Sequence, residues 1–285
     1  MAGKTESPSS LAISAAKEAF ALNPELDPSE IDAVIFCGIE RDMPEPATAH
    51  VVQESLGLNA AYTFDIANAC FGFFQGLKIA DSLIDTGSIN YALVVTGEVS
   101  TRVARVVAEQ LKEGLSTDKA KHLWGMLSVG DAGGAIIVGP SLDKRSGFSK
   151  FHQLSESRHY GLCRYDWKTD GGIDAHMNMS QIVARGLKMN KQVHKEILEE
   201  LGWSSVDWVI AHQTGKTAFR QTQHLHGVER SKIVKTYPKL GNITTATLPI
   251  SFKKLITSGS LKSGDKVAGL FAGSGLVAGQ FGYIV

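Results

Sequence analysis

The feature that most constrains the fold of this chain is an internal repeat. Residues 30–37 read EIDAVIFC, and residues 205–212 read SVDWVIAH. Further along, residues 82–89 (SLIDTGSI) resemble residues 254–261 (KLITSGSL). Two pairs of similar segments in the same order and at similar spacing predict a duplicated half, because chance similarity would not preserve both order and spacing.

Each copy carries the pattern of an α/β unit. The first pair of segments follows amphipathic helix candidates, and each is a short Val/Ile-rich run typical of a buried strand. The second pair ends helices at Gly87 and Gly259 and leads into further strands. Alternating strands and helices predict an α/β fold of mostly parallel or mixed sheets covered by helices. We expect the halves at 9–140 and 180–285, and an irregular lid or pocket wall at 141–179.

Composition excludes several classes of function. The 29 Lys+Arg balance 29 Asp+Glu, and nucleic-acid binding needs an excess of positive charge, so no nucleic-acid partner is expected. No apolar run reaches the roughly 20 residues that span a bilayer, and the first residues lack a signal-peptide core. We therefore expect no membrane span and a cytoplasmic location. Three cysteines without CxxC or HExxH patterns predict a reducing compartment and no metal site.

The repeat singles out one cysteine as a candidate nucleophile. Counting back from the second pair of segments matches Cys70 with Asn242, both at helix starts, while Cys37 falls opposite His212 at a strand end. Such positions at one sheet edge hold ligands in α/β proteins. A helix N-terminus is expected to lower the thiol pKa, a histidine can take the proton, and an asparagine can hold a carbonyl oxygen. Cys37 is expected in the core, and Cys163 at the surface or in a pocket wall.

Five short motifs then show a family resemblance. They are residues 65–72 (DIANACFG), 130–135 (GDAGGA), 211–214 (AHQT), 241–249 (GNITTATLP) and 273–276 (GSGL). In this order they resemble the motifs of ketoacyl-ACP synthase III and its thiolase-fold relatives. The resemblance implies a thiolase-like fold of two duplicated halves and, usually, a homodimer.

The resemblance also implies a reaction. Cys70 would take an acyl group from acyl-CoA or acyl-ACP as a thioester, and His212 and Asn242 would assist its condensation with a second thioester. The amides of Cys70 and Ser274 would form the oxyanion hole. No tightly bound cofactor is expected. Lys216 and Arg220, on a predicted helix after His212, could meet phosphates of CoA or ACP, or simply form a solvated helix face.

One further motif resembles a subfamily. Residues 45–49 (EPATA) are similar to the head-to-head condensing enzymes of olefin biosynthesis, in which a glutamate from the neighbouring subunit serves as base. By this resemblance Glu45 is a candidate general base, because a carboxylate in an apolar site has a raised proton affinity. The alternative is a solvated loop carboxylate.

The sequence leaves several alternatives open. Condensation could be decarboxylative, with a malonyl thioester, or non-decarboxylative, and neither the acyl chain length nor the choice of CoA or ACP is given. The same Cys70 and His212 could instead transfer the acyl group to an alcohol or an amine. A third alternative is a non-catalytic subunit that pairs with a complete synthase, because no counterpart of the family's opening strand is expected before residue 9. Gly215 stands where the family often has asparagine.

Overall fold

The structure is a computed structural model that describes residues 3, 6–141, 143 and 145–285. The α-helices are α1 (Pro8–Ala21), α2 (Thr48–Leu56), α3 (Gly72–Asp85), α4 (Thr101–Lys112), α5 (Thr117–Lys121), α6 (Met179–Leu201), α7 (Lys216–His226), α8 (Tyr237–Leu240) and α9 (Thr247–Thr257). The strands are β1 (Ile31–Phe36), β2 (Tyr62–Asp65), β3 (Tyr91–Val99), β4 (Asp131–Val138), β5 (Gly147–Ser155), β6 (Cys163–Trp167), β7 (Ile173–Met177), β8 (Trp208–Ala211), β9 (Lys266–Gly273) and β10 (Val277–Ile284).

The first sheet has the strand order β2-β1-β3-β4. β1 runs parallel to β2 and β3, whereas β4 is antiparallel to β3. Alternate side chains of β1 enter different layers: Val34 and Phe36 pack in the cluster that contains α1 and α2, and Ala33 and Ile35 pack in the cluster that contains α3. The strand is apolar nearly throughout because both of its faces are covered.

The second sheet has the order β5-β10-β9-β8, in which β8, β9 and β10 correspond to β1, β3 and β4, while the fourth strand lies at the opposite edge. β8 and β9 are parallel, and β10 is antiparallel to both β9 and β5. One face packs through Val209 on Phe219 of α7, and the other packs through Ile210 in the central core. The predicted α/β class with mixed sheets is confirmed.

Helices α3 and α9 form the layer between the two sheets. Their buried side chains, Phe74 and Leu77 from α3 and Phe252 and Leu255 from α9, belong to one hydrophobic cluster. This cluster also includes residues of β1, β3, β8 and β9. The starts of α3 and α9 therefore come close to each other inside the molecule, at the same end as the candidate catalytic residues.

The two halves share a hydrogen-bonding frame at the ends of their first strands. The amide of Cys37 donates to the carbonyl of Val95 at 2.8 Å, and the amide of His212 donates to the carbonyl of Leu270 at 3.0 Å. Cys37 and His212 thus occupy matching points, as the sequence indicates. Cys37 is fully buried in the central core, where the sequence places it.

The expected pairing of Cys70 with Asn242 is wrong by three residues. Both segments pass through a left-handed residue, Ala69 (φ 45°) and Thr244 (φ 46°), which opens a 3₁₀ turn directly before α3 or α9. In this register Cys70 corresponds to Thr245. The error arises because α9 has 11 residues and α3 has 14, so counting back from the glycine that follows each helix misplaces its start.

The segment 141–179 is more regular than its sequence indicates. β5 pairs with β10 along the edge of the second sheet, and β6 and β7 form an antiparallel hairpin. In β5 the side chains of Phe148 and Phe151 pack against the central cluster, while Ser149 and Lys150 are exposed. The register with β10 shifts at Ser149, so the two phenylalanines lie three positions apart and the period of two that marks a strand is broken, which is why the strand escapes detection. The division of the chain into halves at 9–140 and 180–285 stays a prediction.

Within the described residues, each α-helix is too short or too polar to cross a lipid bilayer.

Candidate active site

A cavity opens between α6, α7 and the ends of the strands of the second sheet. It encloses about 1100 Å³ of space, counting its opening to solvent. Four of the residues singled out from the sequence line it: Cys70, His212, Asn242 and Ser274. Much of the remaining wall is apolar, with Met177, Met179, Ile182, Val183, Leu187 and Leu276 among its members. The structure thus brings a thiol, an imidazole and a carboxamide to one largely apolar chamber.

Cys70 is presented by a sharp turn between β2 and α3. Ala69 has a positive φ of 45°, a conformation that residues with a side chain rarely adopt, and it reverses the chain directly before the thiol. The helix then begins at Gly72, where an added Cβ would lie 2.6 Å from the carbonyl oxygen of Cys37. Glycine at this point lets the turn approach the end of β1 closely, which fixes the depth at which Cys70 enters the cavity wall.

The environment of Cys70 raises its thiol pKa. Burial is the main cause, the nearby Cys163 and Glu98 raise the pKa further, and the backbone amide of Cys70 itself lowers it. The backbone at this helix start lowers the pKa as expected, but the net shift is upward because the loss of water around the thiolate is the larger effect. The resting thiol is therefore protonated near neutral pH and needs a base before it can attack.

His212 is suited to be that base. Burial lowers its pKa to about 4, and the backbone of Thr244, which hydrogen-bonds the ring, opposes this shift. The imidazole is consequently neutral near pH 7. A neutral imidazole that donates through one nitrogen accepts through the other. The Nδ1 atom of His212 is buried and has no hydrogen-bond partner within the described part of the chain.

Asn242 is held by the first half of the chain. Its amide donates to the carbonyl of Ser128 at 2.8 Å, and its carbonyl accepts from the amide of Gly130 at 2.9 Å. Its side-chain oxygen Oδ1 accepts from the amide of Thr244 at 3.1 Å. Because Oδ1 is engaged, the carboxamide presents its NH₂ group as a donor, which is the group that a substrate carbonyl oxygen requires.

Ser274 lies in the loop between β9 and β10 and lines the cavity. Its side chain hydrogen-bonds the thiol of Cys163, which places Cys163 in the pocket wall. At the preceding Gly273, an added Cβ would lie 3.1 Å from the backbone nitrogen of Phe71. The loop therefore packs tightly against the turn that carries Cys70, as an oxyanion hole shared by the two segments requires.

The other three candidate residues lie outside the cavity wall. Glu45 is exposed in the loop before α2. That loop is anchored by Asp65, whose carboxylate accepts from the amides of Thr48 and Ala49, both at 2.9 Å. Glu45 lies three residues before this anchor point at the end of β2.

The basic residues after His212 are also exposed. Lys216 and Arg220 lie on α7, whose Ala218, Gln221 and Thr222 line the cavity instead. The two cations are on the same helix as part of the cavity wall but do not form that wall.

Sequence reasoning missed Glu98. This carboxyl is fully buried in β3, and burial raises its pKa to about 7, although hydrogen bonds from the side chains of Thr245 and Thr244 and from the amide of Ile39 lower it. Its side chain lies within electrostatic reach of Cys70. The detectable signal is a single charged residue in the otherwise uncharged strand YALVVTGEV. A glutamate is rarely fully buried unless a partner or a functional role accounts for it.

The fold and the site together define the class of the protein. Two similar α/β halves with a cysteine, a histidine and an asparagine at their junction constitute a thiolase-fold condensing enzyme. Residues 64–157 match the family model of 3-oxoacyl-[acyl-carrier-protein] synthase III, and residues 188–281 match the model of its C-terminal part. The chain belongs to this synthase III family, and it is an acyltransferase of the condensing kind.

Individual relatives agree with this assignment. The chain is 29% identical over 289 residues to the β-ketoacyl-[acyl-carrier-protein] synthase III of Rickettsia bellii, covering 98% of this chain and 85% of the relative. It is 28% identical over 254 residues to an acyl-CoA:acyl-CoA alkyltransferase of Xanthomonas campestris pv. campestris, covering 87% and 73% respectively. The resemblance read from the sequence motifs is confirmed.

Solved structures of Xanthomonas campestris OleA share the fold in detail. The cerulenin-bound form matches with a TM-score of 0.91 at 26% identity, covering 99% of this chain and 82% of OleA. A form with bound lauric acid and lauroyl-CoA also matches with a TM-score of 0.91 at 26% identity, covering 99% and 84%. Other forms of OleA carry single substitutions of a cysteine, a glutamate or a histidine.

Proposed function

We propose that this enzyme joins two acyl-CoA molecules head to head without decarboxylation. The observation that carries the proposal is that Cys70, His212 and Asn242 line one largely apolar cavity. The OleA comparison supports it. The cysteine and histidine substituted in OleA are separated by the same number of positions as Cys70 and His212, and the glutamate lies one position farther from the cysteine than Glu45 does.

In the first step the Cys70 sulfur attacks the carbonyl carbon of an acyl-CoA. His212 takes the thiol proton, and the amides of Cys70 and Ser274 stabilise the oxyanion. The C–S bond to CoA then breaks, and the CoA thiolate leaves with the proton returned from His212. The acyl group remains on Cys70 as a thioester, so one thioester has been exchanged for another.

In the second step a base removes an α-proton from a second acyl-CoA. The resulting enolate, whose oxygen accepts from the NH₂ group of Asn242, attacks the carbonyl carbon of the Cys70 thioester. A C–C bond forms, the C–S bond to Cys70 breaks, and the Cys70 thiolate regains a proton. The product is a β-ketoacyl-CoA with an alkyl branch at its α-carbon.

We assign the base to Glu45 of the partner subunit in a homodimer. Glu45 is exposed, and its loop is anchored through Asp65 to the end of β2, the edge strand of the first sheet. A second copy that docks along this edge would receive Glu45 from its neighbour. Lys216 and Arg220 are the cations nearest the cavity on α7, and we assign them to the phosphates of CoA or ACP.

Decarboxylative condensation with a malonyl thioester is the second candidate function. It is favoured by the 29% identity to synthases named β-ketoacyl-ACP synthase III. Because loss of CO₂ generates the carbanion, this reaction needs no base and would be insensitive to Glu45.

The two candidate functions are separated by one experiment. The protein is incubated with lauroyl-CoA alone, with lauroyl-CoA and malonyl-ACP, and with malonyl-ACP alone, and both the protein and the products are analysed by mass spectrometry. We expect a lauroyl adduct on Cys70 and a branched C24 β-keto product from lauroyl-CoA alone. Glu45→Gln should keep the adduct but lower product formation by about 100-fold or more. A β-keto product that forms only with malonyl-ACP, at a rate unchanged in Glu45→Gln, supports the decarboxylative reaction instead.

A further inference from the structure

Glu98 connects the first half of the chain to the catalytic turn of the second half. Its Oε1 atom accepts from the amide of Ile39 at 3.3 Å and from the hydroxyl of Thr245. Its Oε2 atom is buried and makes no hydrogen bond of regular geometry within the described residues, but the hydroxyl of Thr244 is close enough to lower the pKa of the carboxyl. Both hydroxyls of the turn, those of Thr244 and Thr245, therefore face this one buried carboxyl.

Thr245 is the residue through which this connection runs. Its hydroxyl lies 2.6 Å from the hydroxyl of Thr96 and also reaches Glu98, two positions farther along β3. Thr245 is itself 1% exposed and sits in the middle of the 3₁₀ turn that opens with Thr244. Two polar groups of β3 thus hold this turn from across the junction between the halves.

The same turn orients the catalytic groups. Through its backbone, Thr244 hydrogen-bonds the ring of His212 and donates to Oδ1 of Asn242 at 3.1 Å. Thr244 has a positive φ of 46°, a conformation that residues with a side chain rarely adopt and that persists only when the surrounding structure holds it. The hydrogen bonds of Thr245 to Thr96 and Glu98 are among the contacts that hold this turn.

We propose that Glu98 is a positioning residue that, through Thr245, holds the turn at Thr244 and thereby orients His212 and Asn242 toward Cys70. This inference rests on the proposed roles of these three residues. Glu98 acts through the turn and touches no reacting atom.

The charge of Glu98 adds a second effect. Its carboxyl interacts electrostatically with Glu40 from the loop after β1, with Cys37 and Cys70, and with Tyr165 from β6. Arg102 of α4 pairs with Glu40. Because Glu98 and the Cys70 thiolate carry like charge, ionised Glu98 opposes ionisation of the thiol. It therefore adds to the effect of burial, which is the main reason that Cys70 stays protonated.

The test uses pairs of variants that differ in one property. Thr245→Val removes the hydroxyl at constant shape, whereas Thr245→Ser keeps it. Glu98→Gln keeps an acceptor oxygen and removes the charge, whereas Glu98→Ala removes both. Asp32→Asn is the matched control, because Asp32 likewise accepts backbone amides, from Asn90 and Tyr91, at the far end of the first sheet.

Two readouts are measured on each variant: the single-turnover rate at which lauroyl-CoA acylates Cys70, and the rate at which iodoacetamide alkylates Cys70 as a function of pH. We expect Thr245→Val to lower the acylation rate by about 10- to 100-fold, with the concentration of lauroyl-CoA at half-saturation unchanged. Thr245→Ser and Asp32→Asn should stay within about threefold of the wild type. Glu98→Gln should raise the alkylation rate at pH 8 by about threefold, since the thiol pKa falls when the like charge is removed.

Several outcomes would overturn the proposal. Equal acylation rates in Thr245→Val and Thr245→Ser would show that the hydroxyl positions nothing. The proposal would also be overturned if the Glu98→Ala/Thr245→Val double variant lost acylation rate by the product of the two single losses. Two residues that act through one connection are expected to be non-additive. Glu98→Gln preserves the buried volume, and it carries the test if Glu98→Ala does not fold.

The alkylation readout separates this proposal from the proposed function. If lauroyl-CoA acylates no form of the protein, the proposed function fails. The positioning role is then decided by iodoacetamide alone: we expect slower alkylation near neutral pH in Thr245→Val than in Thr245→Ser, because a misplaced His212 accepts the thiol proton less effectively. Equal alkylation in the two variants would overturn it.

Discussion

The turn that carries Cys70 and the turn that carries Thr245 have the same backbone conformation, but their side chains have different roles. Each opens with a left-handed residue, forms one 3₁₀ turn and passes directly into a helix of the central layer. In the first turn the middle side chain is a thiol that lines the cavity; in the second it is a hydroxyl that points to Glu98. A duplicated frame thus provides two equivalent positions, and the side chains placed on it assign one to the chemistry and the other to its support.

The largest expected effect comes from removing the working side chain of the first turn. Cys70→Ala should abolish acylation by lauroyl-CoA, a loss of more than about 10³-fold, because no other group supplies the nucleophile. Intact-protein mass spectrometry checks this, with Cys163→Ala as the control that retains the adduct. Adding Thr245→Cys to Cys70→Ala should not restore acylation, since that position is buried and faces β3. A restored adduct would mean that the two turns are interchangeable.

Asn242, which is oriented by the second turn, should show the next largest effect. Asn242→Ala removes the NH₂ donor, and loss of one such donor lowers the rate by about 10²- to 10³-fold. The loss should fall on product formation from the pre-acylated enzyme, measured by quenched-flow mass spectrometry. Acylation of Cys70 should change much less, and an equal loss in both steps would contradict the proposed division of roles.

The contributions of Glu98 and His212 to the free energy of unfolding should change in opposite directions with pH. Burial raises the pKa of Glu98 from 4.5 to about 7, so its stabilising contribution is complete below pH 4.5 and is lost as the pH rises through 7. Burial lowers the pKa of His212 from 6.5 to about 4, so its contribution is complete above pH 6.5 and is lost as the pH falls through 4. Each shift corresponds to about 3 kcal/mol at most.

These opposite signs are measured as differences from the wild type in urea unfolding. Between pH 4 and pH 7.5, Glu98→Gln should become relatively more stable toward high pH, and His212→Gln should become relatively more stable toward low pH. Parallel curves for the two variants would show that burial does not perturb the two groups as described.

The smallest predicted effect concerns the backbone of the first turn. Ala69→Val places a β-branched residue at a φ of 45° and should lower the free energy of unfolding by about 1–3 kcal/mol. Ala67→Val, two residues earlier at an exposed position, should change it by less than about 0.5 kcal/mol. Chemical denaturation measures both, and similar values would argue against strain at Ala69.

Much of the fold could be predicted from the sequence because buried parallel strands leave a strong signal. The runs around Val34 and Val209 are apolar on both faces, and the repeat placed them in equivalent positions. The register at Cys70 was misplaced because the paired segments begin 52 residues apart in the first half and 49 in the second, and counting back from the later pair carries this difference of three into the helix start. Counting forward from Cys37 and His212 gives Cys70 and Thr245, each 33 positions on. β5 was missed because the register shift at Ser149 interrupts the period of two between its buried side chains.

The candidate site was predictable as a set of residues but not as an electrostatic environment. Motif order identified Cys70, His212, Asn242 and Ser274, and the structure places all four on one cavity. The direction of the Cys70 pKa shift depends on how much water reaches the thiol and on a carboxyl from β3, and both are set by tertiary packing. Glu98 itself was visible only as a charge in an apolar strand.

The methionines of the cavity wall have a consequence for the range of substrates. Met177, Met179 and Met189 line the chamber, and a side chain at Gly125 would collide with the sulfur of Met177 at 2.2 Å. Unbranched thioethers change shape by rotating single bonds, so they can fill or vacate space without moving the backbone. A wall of this kind can change its shape to follow the group it encloses, so the volume of the cavity is not fixed by the backbone alone.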